Sequence, residues 1–349
     1  MDKKVSYFSK EQRETLKLVG ILSACLLVLL ILSVVLFNSI QAPTTSEPKS
    51  QYVEISTLDG LKLSDAKSLL DKAEIKYEII PTSSKTPNKV EKVEYVGKTE
   101  NGKLYVEVGT TVKLHANDVA QNKIIYLTFD DGPIVNYTYS YEIYHTTGET
   151  LEILDQYGIK ATFFLVGEQM VKNDRKHYVN EIYDKGHLIA CHSYSHKLGS
   201  IYTSPSAFTS DIQNFENALK EILGEEKYNS LGKHIRFPGG TAQNGYINKT
   251  TASSFVTAVH SMGYKIYDWT VLTNDANDSY RNPGESDRDY FIRSLKETLT
   301  KATGKNVPLI VLMHDRDSTK DNLSEILEYL ISEGYYFDTI DNCPEYIDI

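Results

Sequence analysis

Hydrophobic and polar positions divide the chain into stretches of different character. Residues 18–37, "LVGILSACLLVLLILSVVLF", run without a charge. About 20 apolar residues suffice for a helix to cross a bilayer core of about 30 Å. The run is longer than the roughly 7–15 apolar residues of a secretory signal. "NSIQAPTTS" after Phe37 offers no good cleavage site. The pattern predicts an uncleaved transmembrane helix over 18–38, with a cleaved signal as the alternative. Lys3, Lys4, Lys10, Arg13 and Lys17 precede it, and Lys49 is the first basic residue after it. The positive-inside rule then keeps residues 1–17 cytoplasmic and places the rest outside, at the cell membrane. Residues 39–50, polar with two prolines, read as a linker.

Residues 51–116 alternate quickly between elements. "SDAKSLLDKAEI" opens on Ser64, a capping type, and spaces Ala66, Leu69, Leu70 and Ala73 as a helix does. "KYEII" and "TVKLHA" alternate as strands, with turns at "ENG" and "EVGTT". These features predict a small α+β domain. The segment "LDGLKLSDAKSLLDKAEIKYEII … VEVGTTVKLHA" resembles a PASTA domain, without that family's opening proline and its Gln-x-Pro. The resemblance implies a peptidoglycan-binding module; a plain spacer is the alternative.

From residue 119 to 349, apolar runs alternate with amphipathic stretches. The runs are 124–129, 161–166, 187–191, 234–237, 265–269, 308–314 and 335–340; the stretches between them are 149–158, 173–185, 205–223, 252–262, 286–302 and 319–333. Ser204-Pro205 forms an N-cap and N1 pair. The alternation predicts an α/β fold, a largely parallel, barrel-like sheet of about seven strands. In such barrels chemistry gathers at the C-terminal ends of the strands.

A formal net charge of −10 argues against nucleic acid as a partner. Three cysteines, one of them Cys25 in the predicted span, exclude a disulfide-stapled scaffold. Cys191 and Cys343 are expected to be inert thiols, a bridge between them being the alternative.

The polar motifs follow the strands. "TFDDGP" holds Asp130 and Asp131 side by side before a tight turn. Two adjacent carboxylates repel, and a cation on one relieves the conflict and leaves the other free as a base. "HSYSH" spaces His192 and His196 four apart, so a helical turn would aim both imidazoles at one metal. Two histidines and one carboxylate leave open positions on the ion, as a catalytic site requires. The second residue of that motif is Ser193, which excludes a His-Glu-x-x-His metallopeptidase. In "RFPGG", Arg236 could orient a carboxylate, and a backbone amide of the turn could face an oxyanion. "YDW" supplies Asp268 and Trp269, and "LMHD" ends a strand on His314, which Asp268 could orient as a protonated imidazole.

These motifs, with "GIKATFF" and "KGHLIACHS" between them, resemble the NodB-type polysaccharide deacetylases, carbohydrate esterase family 4, over residues 120–349. The resemblance implies a distorted (β/α) barrel and the following roles. Asp130 is the base; Asp131, His192 and His196 hold a divalent ion, usually zinc, with cobalt, manganese or nickel as alternatives. Arg236 positions the base, Asp268 tunes the acid His314, the Gly239 amide completes the oxyanion site, and Trp269 and Leu312 form the wall beside the acetyl methyl. Three positions depart from the family. Gly239 stands where tyrosine is usual, Lys265 where an earlier aspartate is common, and Cys191 where asparagine is common. The tyrosine-rich 134–148 is longer than usual and could add sugar-stacking surface, ordinary loop packing being the alternative. The expected activity is hydrolysis of N-acetyl groups from a cell-envelope glycan, with N-acetylglucosamine of peptidoglycan first. N-acetylmuramic acid residues, poly-N-acetylglucosamine, chitin or xylan are alternatives, as is a catalytically dead glycan-binding protein.

Overall fold

A computed structural model describes residues 52–348 apart from 83, 85, 138–142, 243 and 244. The predicted span at 18–38 lies outside the described residues. Among those described, no helix is long and apolar enough to cross a membrane, so the expected membrane location is withdrawn.

Residues from Tyr52 onward form one compact unit. Its first part carries β1 (Tyr52–Ser56), the helix Leu63–Lys72, β2 (Lys76–Pro81), β3 (Val90–Glu94), β4 (Gly97–Glu100), β5 (Lys103–Glu107) and β6 (Thr111–Ala116). The strands pair as two small sheets, ordered β1-β5-β4 and β2-β6-β3. Leu63, Ala66 and Leu70 bury one stripe of the helix against Leu58, Val112 and Leu114. The helix starts one residue before Ser64, whose hydroxyl meets Asp65 instead of capping it.

The second part carries β7 (Ile124–Asp130), β8 (Asn136–Tyr137), β9 (Ile143–Tyr144), β10 (Thr162–Leu165), β11 (Leu188–Cys191), β12 (His234–Ile235), β13 (Lys265–Ile266), β14 (Val271–Leu272), β15 (Leu309–His314) and β16 (Tyr336–Asp338). Except for the β8–β9 hairpin these form one sheet, ordered β13-β12-β11-β10-β7-β15-β14, with β16 also on β7. All its pairings are parallel. Every residue of β7 is buried, which explains its unbroken apolar run: a central parallel strand is covered on both faces.

Each of the seven predicted runs contains a strand; β14 is additional and too short to show as a pattern. The barrel expectation needs correction, because the terminal strands β13 and β14 do not pair with each other. They are nevertheless consecutive in the chain, joined by residues 267–270. Seven strands laid flat would span roughly 29 Å at about 4.8 Å per neighbour. The five-residue step from Ile266 to Val271 reaches at most about 18 Å. The sheet must therefore curl, giving an open half-barrel closed by a loop rather than by hydrogen bonds. Long helices such as Pro205–Leu223 and Asp287–Lys305 pack against it, the first capped by the Ser204 hydroxyl as expected.

Candidate active site

The polar motifs converge where the strands end. Asp130 is the last residue of β7 and His314 the last of β15, and the two are register partners. Asp131 follows in a left-handed conformation (φ 74°), which turns its carboxylate away from the path of the strand. At the next residue, Gly132, a Cβ would lie 2.5 Å from Asp315 Oδ2, so any side chain there would have to displace that buried carboxylate.

Asp131, His192 and His196 each offer a ligating atom, and these atoms all lie within 4.8 Å of one another. His196 Nε2 is 3.3 Å and His192 Nε2 3.6 Å from Asp131 Oδ1. His192 Nδ1 is 2.9 Å from the Arg236 carbonyl; donation there leaves the Nε2 lone pair free for a metal. Burial holds the His192 pKa below its ordinary value, which also favours the neutral, ligating form.

The expected helical turn between the histidines is absent. Residues 192–197 are irregular, with Ser193 at φ 69° and His196 at φ 54°. Asp211, buried on the helix Pro205–Leu223, holds this loop by accepting the amides of Tyr194 (2.6 Å) and Ser195 (3.3 Å). Gly167 leaves room for the Tyr194 ring, which would lie 2.1 Å from a Cβ.

Arg236 is fully buried. Its NH1 donates to Asp130 Oδ1 and to Thr128 Oγ1, each at 2.7 Å, and its Nε donates to the Tyr267 carbonyl at 3.0 Å. Asp130 Oδ2 faces His192 Nε2 at 3.6 Å. One carboxylate oxygen is thus fixed by the guanidinium, and the other faces the ligand cluster.

His314 does not pair with Asp268. Its Nδ1 lies 2.9 Å from Asp275 Oδ1, and its amide donates to Asp275 Oδ2 at 2.6 Å. Burial would lower the His314 pKa, but the Asp275 hydrogen bond and charge outweigh it and raise the pKa above its ordinary value. Burial likewise pushes Asp275 up, but the bonds from His314 and Thr319 prevail and hold it low. Asp268 instead accepts the amide and hydroxyl of Thr241, both at 3.0 Å, and the amide of Asp348 at 2.9 Å. It anchors the Pro-Gly-Gly turn and the chain end.

In that turn Gly239 is exposed, and its amide makes no hydrogen bond among the described residues. Trp269 is half-buried, its ring filling the space a side chain at Gly240 would need. Leu312 stands two residues before His314 on β15, on the same face of the strand. Cys191 and Cys343 are unpaired and buried, as expected. Burial pushes the Cys191 thiol well up, away from the thiolate that would compete for metal.

Sequence reasoning missed Asp275, Asp211 and two buried groups behind the Asp131 turn. Arg175 donates to the carbonyls of Pro133 (3.1 Å) and Val135 (2.9 Å). Asp315 accepts the Thr147 hydroxyl at 2.5 Å, and burial pushes its pKa up to about 7. Asp315 follows His314 in "LMHD", where only the histidine was given a role; Asp275, Asp211 and Arg175 lie in no recognisable motif. The tyrosine-rich segment contains the β8–β9 hairpin, with 138–142 outside the described residues. A groove of about 590 Å³ runs over Asp131, His196 and His314 towards Asn136, Gln169 and Arg316.

Residues 117–267 match the family described as polysaccharide deacetylase. A peptidoglycan-N-acetylglucosamine deacetylase of Bacillus cereus is 32% identical over 233 residues, 64% of this chain and 89% of the relative. The chain belongs to the polysaccharide deacetylase family. A Bacillus subtilis relative of this deacetylase, a peptidoglycan-N-acetylmuramic acid deacetylase, is 26% identical over 64% of this chain and 72% of its own length. The solved catalytic domain of the peptidoglycan N-acetylglucosamine deacetylase from Eubacterium rectale matches with a TM-score of 0.52 at 29% identity. That match covers 65% of this chain and 93% of the other. The family match places this deacetylase among the hydrolases of carbohydrate esterase family 4, and its half-barrel is the fold shared with them.

Proposed function

We propose that this deacetylase hydrolyses the N-acetyl groups of a peptidoglycan-type glycan, with N-acetylglucosamine as the reacting sugar. Asp131, His192 and His196 would hold a divalent ion, zinc first. One observation carries the reading: three ligating atoms converge within 4.8 Å beside a carboxylate, Asp130, that a buried arginine orients. One oxygen and two imidazole nitrogens suit such an ion and leave positions open for water and substrate. The choice of sugar follows the relatives from B. cereus and E. rectale.

When bound, the ion supplies Lewis acidity towards the acetyl carbonyl and lowers the pKa of a water. Asp130 accepts the proton of the attacking water. Arg236 fixes that carboxylate through Oδ1, so that Oδ2 does the work. The Gly239 amide donates to the oxygen that gains charge as the carbonyl carbon becomes tetrahedral. His314, kept protonated by Asp275, passes a proton to the departing nitrogen. Trp269 and Leu312 enclose the methyl. The products are acetate and a free glucosamine.

The test is to incubate the protein and zinc with purified peptidoglycan, digest to muropeptides, and weigh them by mass spectrometry. Acetyl loss from N-acetylglucosamine, abolished by Asp130→Asn, is expected. Loss from N-acetylmuramic acid, the sugar in the B. subtilis relative's name, would keep the chemistry and replace the substrate. No acetate from peptidoglycan or chito-oligosaccharides would overturn the reading.

A further inference from the structure

We propose that Gln169 is a substrate-binding residue. Its side-chain amide donates a hydrogen bond to an uncharged oxygen of the glycan, a hydroxyl or an acetamido carbonyl, outside the acetamido group being hydrolysed. The inference rests on the deacetylase reading above.

Gln169 lies just after β10, in the short helix Gly167–Met170, and lines the groove that also holds His196 and His314. This segment is tied to both metal-side loops. Gly167 donates to the Ser193 carbonyl at 3.1 Å, Glu168 to the Tyr194 carbonyl at 2.8 Å, and Val166 to the Gly132 carbonyl at 2.9 Å. The position of Gln169 is therefore set by the same backbone that sets the ligands.

Its orientation is set by charge. Gln169 Oε1 accepts from Lys172 Nζ at 2.7 Å and from Arg175 NH1. Two cations can pair only with the oxygen of an amide, which decides the flip that geometry by itself leaves ambiguous. Arg175 cannot swing away to serve another group, because it is buried and its guanidinium also holds the carbonyls of Pro133 and Val135. The Gln169 NH2 is left on the opposite edge of the amide, and it makes no hydrogen bond among the described residues. A half-buried donor, fixed in direction and lacking an acceptor, beside a catalytic cluster fits a neutral sugar oxygen. The neighbouring charges do not compete for that role: Lys172 is held by Gln169, and Lys197 pairs with Glu168.

Gln169→Glu tests this, since it keeps the shape and the contacts to Lys172 and Arg175 while removing the donor. Gln169→Met, of similar length and without polar atoms, guards against an effect of the added charge. The substrates are an N-acetylglucosamine tetramer and a small aryl acetate that lacks the glycan. Both variants are expected to raise KM for the tetramer about fivefold, the worth of one ordinary hydrogen bond, with kcat within about twofold. Zinc content and aryl acetate hydrolysis are expected to stay unchanged. An unchanged KM for the tetramer in both variants would overturn the assignment of Gln169 by itself. No acetate from the tetramer with the unaltered protein would overturn the deacetylase reading, and this assignment with it.

Discussion

Asp130 at the end of β7 and His314 at the end of β15 are register partners, yet they are held in opposite ways. The carboxylate leans on a buried guanidinium, Arg236, and the imidazole leans on a buried carboxylate, Asp275. Arg236 fixes the position of the Asp130 carboxylate, and Asp275 favours the charged form of the His314 imidazole. In the proposed mechanism the first pairing would aim the base and the second would keep the acid protonated. They also differ in access. The Arg236–Asp130 pair is almost wholly dry, whereas the His314 side chain is 19% exposed and opens to the groove. The Asp130 side is thus fixed by burial, and the His314 side is left open to the groove where the proposed leaving group would sit.

The largest effect should come from removing the base. Asp130→Asn is expected to lower kcat about a thousandfold, within the range for a positioned general base, with zinc content retained. Activity and metal content measured on one preparation check this. Arg236→Met attacks the same side through its support. Removing one member of a buried pair leaves an uncompensated charge and costs about 3–5 kcal/mol. Chemical denaturation should show that loss, and Asp130→Asn in the same chain should recover part of it.

Asp275→Asn attacks the acid side and should lower kcat by about a hundredfold. The alkaline limb of the kcat–pH profile should also move to lower pH, because His314 loses the partner that raises its pKa. Stability gives an independent reading. The Asp275 contribution is present above its unfolded pKa of about 3.9 and lost as pH falls through its depressed folded value. The His314 contribution is present below its unfolded pKa of about 6.5 and lost as pH rises through its raised folded value. The melting-temperature gap between the unaltered protein and Asp275→Asn should therefore be widest between about pH 4 and 6.5. A gap independent of pH would break the pairing assigned here.

The smallest effect separates the two candidate partners of His314. Asp268→Asn loosens the Thr241 turn and should lower kcat by about tenfold or less, with the alkaline limb unmoved. A limb that moved with Asp268 and stayed with Asp275 would restore the partner expected from the motif.

Much of the site was legible because its chemistry is local in the chain. Asp130-Asp131 is contiguous, His192 and His196 share one loop, and each follows an apolar run that the fold turns into a central strand. Arg236 was legible too, since "RFPGG" follows the β12 run, and the structure joins it to Asp130. The partners of these residues were not legible. Asp275 reaches His314 across 39 residues, and Asp211 reaches the amide of Tyr194 across 17. Such contacts leave no periodicity or spacing to read. Asp268 was expected as the partner from the family resemblance of its motif, but its carboxylate is used up by Thr241 and Asp348.

The sequence by itself determined the alternation of apolar runs and helices, hence a parallel α/β sheet, and the order in which Asp130, Asp131, His192, His196 and His314 meet its strand ends. Side-chain type and period carry that information along a single strand of chain. Tertiary structure decided how far the sheet closes, because β13 and β14 are held near each other by a short loop and not by a ladder. It also decided that the histidine pair converges through a left-handed loop braced by Asp211, and that Asp275 rather than Asp268 pairs with His314. These outcomes depend on which buried polar groups end up within hydrogen-bond reach. Burial drives most such groups to find a partner, and only the packed chain says which one.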